Sequence, residues 1–193
     1  PQQFGIEITS SRPASREKIK LAYFSADFHE HATMYLMAQL FELHDKSKFE
    51  TFGFSFGPNT DDAMRKRAIN AFDHFYDIRD KTDLEVAKIS RELGIDIAVD
   101  LKGFTQNYRA GIFAHRAAPI QINYLGYPGT MAAQYIDYII GDHIIIPEEM
   151  QNKYQEKVLY MPSTYQANDG TRKISKHHYT RDDFGLPNQG FVY

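Results

Sequence analysis

PIQINYLGYPGT, residues 119–130, is the stretch on which the fold turns. Its first half, Ile120 to Leu125, is a short apolar run of the kind that forms one buried strand of a parallel sheet. It then breaks into Gly126-Tyr127-Pro128-Gly129-Thr130. Two glycines around a proline let backbone come close to a bulky neighbour, and Thr130 is placed to cap a following helix. In an open α/β sheet ligands gather at the carboxyl ends of strands, so this turn is a candidate site. An ordinary strand-to-helix turn has the same pattern, and the rest of the chain must separate the two.

Working outward, the pattern alternates. Ile95–Leu101 (IDIAVDL) reads as a buried strand that ends at Lys102-Gly103-Phe104-Thr105, with a helix over Tyr108–Arg116 before the opening stretch. Upstream, Thr82 and Glu85 form a capping box, Val86, Ile89 and Leu93 a core face, and Gly94 a stop, which predicts a helix over Thr82–Leu93. His74–Ile78 and Phe49–Phe56 read as strands around a helix at Asp61–Phe72, whose Arg65-Lys66-Arg67 run is expected on its wet face. Ile19–Ser25 is the first strand, Asp27–Thr33 (DFHEHAT) a polar loop, and Met34–Leu43 a helix with Thr33 as its N-cap. Downstream, Tyr135–Gly141 and Val158–Tyr160 are strands, and the periodicity dissolves after Met161. Arg181–Gly185 is expected to form one helical turn and Phe191-Val192-Tyr193 the first residues of a strand. Strands alternating with helices predict a doubly wound parallel α/β sheet.

Composition narrows the function. The 193 residues carry a net charge of −3, so no basic surplus exists to neutralise nucleic-acid phosphates. There is no cysteine, hence no disulfide, thiolate metal site or Cys nucleophile, which fits a reducing compartment and a cytoplasmic location. No apolar run approaches the ~20 residues of a membrane span, so no membrane partner is expected. Neither GxGxxG nor GxxxxGK[ST] occurs, which argues against a dinucleotide or P-loop phosphate site.

Three polar loops, DFHEHAT, KGFT and GYPGT, follow three strands and in a parallel sheet fall on one edge. His31 is their most interesting titratable group: it lies just before a helix, whose dipole favours the neutral imidazole, available as base or as donor. His29 and His31 also form an HxH pair, the spacing of metal ligands in barrel hydrolases. Asp100 is either a site residue or an aspartate that orders its turn by bonding backbone N–H groups. Lys102 is either a point charge for a phosphate or a solvated surface lysine. Tyr127 either packs on a sugar or base face or belongs to the core.

These loops, in this order, resemble the amino-terminal catalytic lobe of the O-GlcNAc transferase family. The resemblance rests on SADFHEHAT followed by MYLM, AVDLKGFT, APIQINYLGYPGT with YIDYIIGD, EKVLYMPSTY and FGLPNQGFVY, and runs from about Lys18 to Tyr193. It implies one Rossmann-like lobe of a GT-B glycosyltransferase, with UDP held mainly by a second lobe. It also implies that His31 and Thr33 match the family's His-Pro-Thr motif near the donor sugar and phosphates. The same resemblance adds Leu125, Gly126, Tyr127, Pro128 and Thr130 from the turn, and Gly103, Phe104 and Thr105 from the KGFT loop, to Asp100 and Lys102 as candidate substrate contacts. Ala32 stands where the family has Pro, and Met131-Ala132 where Ser-Gly is usual.

The expected organisation is a linker over 1–17, out of an upstream region such as tetratricopeptide repeats. A Rossmann-like lobe follows over 18–162, then an inter-lobe segment and first strand of a further lobe over 163–193. The expected activity is inverting transfer of GlcNAc or a related hexose from a UDP-sugar to Ser/Thr or Asn of a polypeptide. No metal or other cofactor is expected, and these residues alone are expected to be inactive. Apolar surface meant for the second lobe predicts self-association. The rival readings are a non-catalytic α/β binding module, a sugar-nucleotide epimerase and a metallohydrolase using His29 and His31.

Overall fold

The computed structural model describes residues 17–192, so the expected linker over 1–17 lies outside the described residues except for Glu17, as does Tyr193. Among the described residues there are seven strands: Ile19–Ser25 (β1), Phe49–Ser55 (β2), His74–Asp77 (β3), Ile97–Asp100 (β4), Ile120–Asn123 (β5), Tyr138–Gly141 (β6) and Lys157–Tyr160 (β7). Four α-helices, Ala32–Glu42 (α1), Ala63–Ala71 (α2), Asp83–Glu92 (α3) and Ala110–Ala114 (α4), fall between them. The strands form one sheet in the order β3-β2-β1-β4-β5-β6-β7, with every neighbouring pair parallel. The expected doubly wound α/β sheet is borne out.

Alternation along each strand explains why both faces are covered. Leu21 and Tyr23 of β1, with Val99 and Ile122, pack against Met34, Met37, Ala38 and Phe41 of α1 and Ala68 and Ala71 of α2. Ala22 and Phe24, with Phe52, Phe54 and Ala98, meet Val86 and Ala87 of α3 and Ile112 and Phe113 of α4 on the other face. Because the chain leaves β1 for β2 on one side and returns to β4 on the other, the crevice between the carboxyl ends of β1 and β4 is the sheet's switch point, where such folds bind ligands.

The helix ends follow local chemistry. The Thr82–Glu85 capping box is present as expected, with the Glu85 N–H donating to Thr82 Oγ1 and the Thr82 N–H to Glu85 Oε2. At α1 the cap is His31, not Thr33: the Thr33 N–H donates to His31 Nδ1 at 3.1 Å. Because α1 begins at Ala32 rather than Met34, the cap position falls two residues earlier, and the His31 ring nitrogen accepts from a free N–H of the first turn.

Other expectations are corrected. Arg65 is not on a wet face; it is 3% exposed and donates to Ser55 Oγ at 3.0 Å, stacked over Phe75. Arg67 is taken up by Glu42 and Asp169. No helix follows Thr130; its hydroxyl donates to Glu156 Oε2 at 2.6 Å, and β6 begins only at Tyr138. Asp182–Phe184 makes the expected single turn, as a 3₁₀ helix closed by Gly185, whereas Phe191 and Val192 belong to no strand.

Candidate functional site

Three loops leave the carboxyl ends of β1, β4 and β5 and enclose a cleft of about 380 Å³. Asp27, His31, Ala32, Thr33 and Leu36 supply one wall, Lys102, Thr105 and Gln106 the floor, and Leu125 and Gly126 the opposite side. Tyr165 and Gln166, from the chain after β7, close the far end. A roomier groove of about 490 Å³ lies beside Ile120, Tyr138 and Lys157, at the amino ends of β5, β6 and β7. Ligands of open α/β sheets sit at the other edge, so position rather than size selects the first cleft.

Two loops are locked together by glycine. A Cβ on Gly126 would stand 2.1 Å from the Leu101 carbonyl oxygen, and one on Gly103, at φ +52°, 2.5 Å from Tyr127 Cβ. The close approach foreseen for the turn is thus an approach to the neighbouring KGFT loop. Between them Leu125 has φ +68°, and the Gly126 N–H donates to the Tyr124 carbonyl at 2.9 Å. That tight γ-turn holds a bulky residue in the left-handed region, a conformation that clusters at functional sites.

The centre of the cleft is a residue to which sequence reasoning gave no role. Asp27 Oδ2 accepts from Lys102 Nζ at 2.7 Å and from Thr33 Oγ1 at 3.4 Å, and lies 3.6 Å from His31 Nδ1. Its own N–H is fixed by Ser25 Oγ at 2.9 Å. Lys102 is 5% exposed, so the solvated reading is wrong, and its ammonium is committed to Asp27 rather than left bare for a phosphate. The signal available in the sequence was an Asp two residues past the end of the first strand, facing a Lys two residues past the end of the fourth.

Asp100 lies beneath the cleft, buried. Its Oδ1 accepts from the Lys102 N–H at 2.9 Å, the turn-ordering role foreseen as one of its two readings. Burial pushes its carboxyl up to about 6, against the pull of N–H groups from Lys102 and Gly103 and of the Lys102 ammonium.

The cleft therefore brings together His31, Thr33, Lys102, Thr105, Leu125 and Gly126, and leaves the other candidates around it. Gly103 is buried under Tyr127. Phe104 stands exposed, edge-on to Tyr108 and to Tyr127. Pro128 is exposed, its carbonyl accepting from Tyr154 Oη, and Thr130 is tied to Glu156. The His29 and His31 rings are 5.7 Å apart, but among the described residues no three His, Cys, Asp or Glu side chains converge to hold a metal ion. Nor, among those residues, is any helix long and apolar enough to cross a membrane.

A switch-point cleft lined by a helix-capping histidine and interlocked glycine loops, at the carboxyl edge of this parallel sheet, is the architecture of a Rossmann-like ligand-binding lobe. Comparison with known proteins agrees. An O-GlcNAc transferase mutant from Thermobaculum terrenum superposes with a TM-score of 0.75 at 29% identity, over 78% of this chain and 29% of that one. The Arabidopsis thaliana protein named as a probable UDP-N-acetylglucosamine–peptide N-acetylglucosaminyltransferase SEC is 33% identical over 190 residues, 94% of this chain and 19% of the relative. A Caenorhabditis elegans UDP-N-acetylglucosamine–peptide N-acetylglucosaminyltransferase is 35% identical over 82% of this chain and 14% of its own length. The chain thus spans a fifth or less of these two relatives. The description of glycosyl transferase family 41 matches residues 3–185, and the chain belongs to that family.

Proposed function

We propose that this chain is part of the catalytic region of an inverting UDP-sugar:protein glycosyltransferase, working in the cytoplasm. The donor is UDP-GlcNAc or a related UDP-hexose and the acceptor a Ser/Thr or Asn side chain of a polypeptide. The observation that carries the reading is the cleft at the switch point, lined by His31, Thr33 and Gly126 in a chain of family 41. The names of the relatives support the donor and the peptide acceptor.

In the reaction the acceptor atom, a Ser/Thr hydroxyl oxygen or an Asn amide nitrogen, bonds to the anomeric carbon as the bond from that carbon to the diphosphate breaks. UDP leaves, and the acceptor proton passes to solvent or to the departing phosphate. Little covalent chemistry is asked of the protein. Holding acceptor and donor in line supplies up to ~7–11 kcal/mol, and one donor aimed at developing charge is worth about 10²–10³ in rate. His31 is the residue of this lobe assigned to the departing group. The UDP-sugar is the substrate, and the proposal calls for no metal or other cofactor.

Most of the UDP site is assigned to chain beyond these residues, since the relatives are several times longer. The 193 residues alone are therefore inactive under this proposal and self-associate through the face meant for the other lobe. The test is UDP release by the parent protein, with UDP-GlcNAc and UDP-glucose as donors and a peptide mixture as acceptor. Turnover that falls about 10²-fold or more in His31→Ala supports the reading. Turnover without peptide glycosylation points to an epimerase or hydrolase, and no binding of either donor removes the proposal.

A further inference from the structure

One nitrogen of the His31 ring is already occupied. The Thr33 N–H donates to Nδ1 at 3.1 Å as the cap of α1, and Thr33 Oγ1 lies 3.2 Å from the same atom. In a neutral imidazole the nitrogen that accepts carries no proton, so the proton resides on Nε2. The ring lines the cleft, half-exposed, and Nε2 is the nitrogen left free by the cap.

The neighbouring carboxylate would ordinarily reverse this. A carboxylate beside Nδ1 draws the ring proton to that side and turns Nε2 into a base, the logic of hydrolase triads. Asp27 Oδ2 is at that position, 3.6 Å from Nδ1, beyond hydrogen-bond reach. The same oxygen, however, receives the Lys102 ammonium at 2.7 Å, inside a buried pair. Lys102 thereby spends the acceptor strength that would otherwise act on His31.

We propose that Lys102, acting through Asp27, is a positioning residue that keeps His31 in its Nε2–H form. The cleft is thereby offered a hydrogen-bond donor rather than a general base. The inference rests on the reading of His31 as a residue of the sugar-nucleotide site. It gives that site a ligand chemistry: an oxygen gaining negative charge, that of the departing diphosphate. The acceptor hydroxyl loses its proton elsewhere, as in the reaction written above.

The test is ¹⁵N NMR of the histidine rings in the full chain, at a pH of ~8 where an ordinary imidazole is neutral, with His31 assigned through His31→Gln. The wild type is expected to show Nε2–H, and Lys102→Met to move His31 toward Nδ1–H because Asp27 is then free to accept. Asp27→Asn together with Lys102→Met leaves no buried lone charge and should return the ring to Nε2–H. A purely structural role for Lys102 would not move the proton from one nitrogen to the other. An Nδ1–H ring in the wild type overturns the proposal. So does an unchanged Nε2–H ring in Lys102→Met, or in Lys102→Gln if the methionine variant does not fold. Failure of the protein to bind a UDP-sugar would leave these spectra as they are and would count against the broader function alone.

Discussion

Lys102 Nζ meets Asp27 Oδ2 at 2.7 Å across the crevice between β1 and β4, with neither side chain open to solvent. The pair joins two loops that are far apart in sequence and carry the candidate site. Removing one partner leaves an uncompensated buried charge, which costs about 3–5 kcal/mol. Asp27→Ala is therefore expected to lower unfolding free energy by that order in urea titrations. Asp27→Asn with Lys102→Met should recover most of it, because no charge is then stranded. An Asp27→Ala variant as stable as the wild type would show the pair to be energetically idle.

Asp100 makes stability depend on pH in an unusual direction. Its folded carboxyl is raised from 3.8 to about 6 by burial, so between those values the folded chain holds a proton that the unfolded chain has lost. Stability tied to this group is present below the unfolded value and is lost as pH rises through the folded one. At neutral pH the deficit is on the order of 3 kcal/mol. Asp100→Asn keeps an oxygen for the Lys102 N–H and removes the charge. The difference in unfolding free energy between variant and wild type should grow in favour of the variant from pH 4 to 7. A flat difference would mean that Asp100 titrates alike in both states.

What could be read from the chain itself was the apolar pattern. The run at Ile19–Ser25, the alternation at Phe49–Ser55 and the capping box at Thr82 report local burial or local hydrogen bonds, and each marked its element. The long-range polar contacts were not legible. Arg65 and Lys102 are charged residues in sequences that look solvated, and only the arrival of Ser55 and Asp77, or of Asp27, makes their burial possible. Thr130 followed a strand and looked like a cap, but its partner is Glu156, and nothing near it in sequence points there. Asp27 is not legible beside His31, because a histidine's reactivity shows in its residue type whereas an aspartate's support depends on Lys102, 75 residues away. The segment after β7 carries no periodicity because, apart from Tyr165 and Ala167 on the core, it is held by single polar contacts.

The interlocked loops predict a steric result. Gly126→Ala would put a methyl 2.1 Å from the Leu101 carbonyl oxygen, a backbone atom that cannot swing aside. Gly103→Ala adds a left-handed φ of +52° to a contact of 2.5 Å with Tyr127 Cβ. The left-handed conformation alone costs about 1–2 kcal/mol for a residue with a Cβ. Both variants should melt lower than wild type, by at least ~2–4 °C for each kcal/mol lost. Tyr127→Ala in the Gly103→Ala background keeps both the clashing Cβ and the strained φ, so it should not restore the wild-type melting temperature.

Asp169 anchors the chain just beyond the far end of the cleft. The Tyr165 N–H donates to Asp142 Oδ2 at 2.8 Å and its carbonyl accepts from Tyr124 Oη at 2.7 Å, which sets Tyr165 and Gln166 against the cleft. The strand of chain that follows is tied down by the Gly170 N–H on Gln39 Oε1 and by Asp169, whose buried carboxylate is bonded to Arg67. That guanidinium, with help from the Thr171 hydroxyl and N–H, holds the Asp169 carboxyl well below the usual carboxylate range. Its contribution is present at neutral pH and is lost as pH falls through the depressed folded value. Asp169→Asn should therefore release the segment near neutral pH while leaving the sheet intact. Hydrogen exchange is expected to rise at 165–171 and to stay unchanged in β1 and β4, because local opening is confined to chain with few apolar contacts. Under the proposed function, the same variant of the parent protein should raise KM for the sugar nucleotide with little change in kcat, because the wall it loosens would bind rather than react. Exchange that rises through β1 as well would make Asp169 a general stabiliser, and the link between this segment and the cleft would be lost.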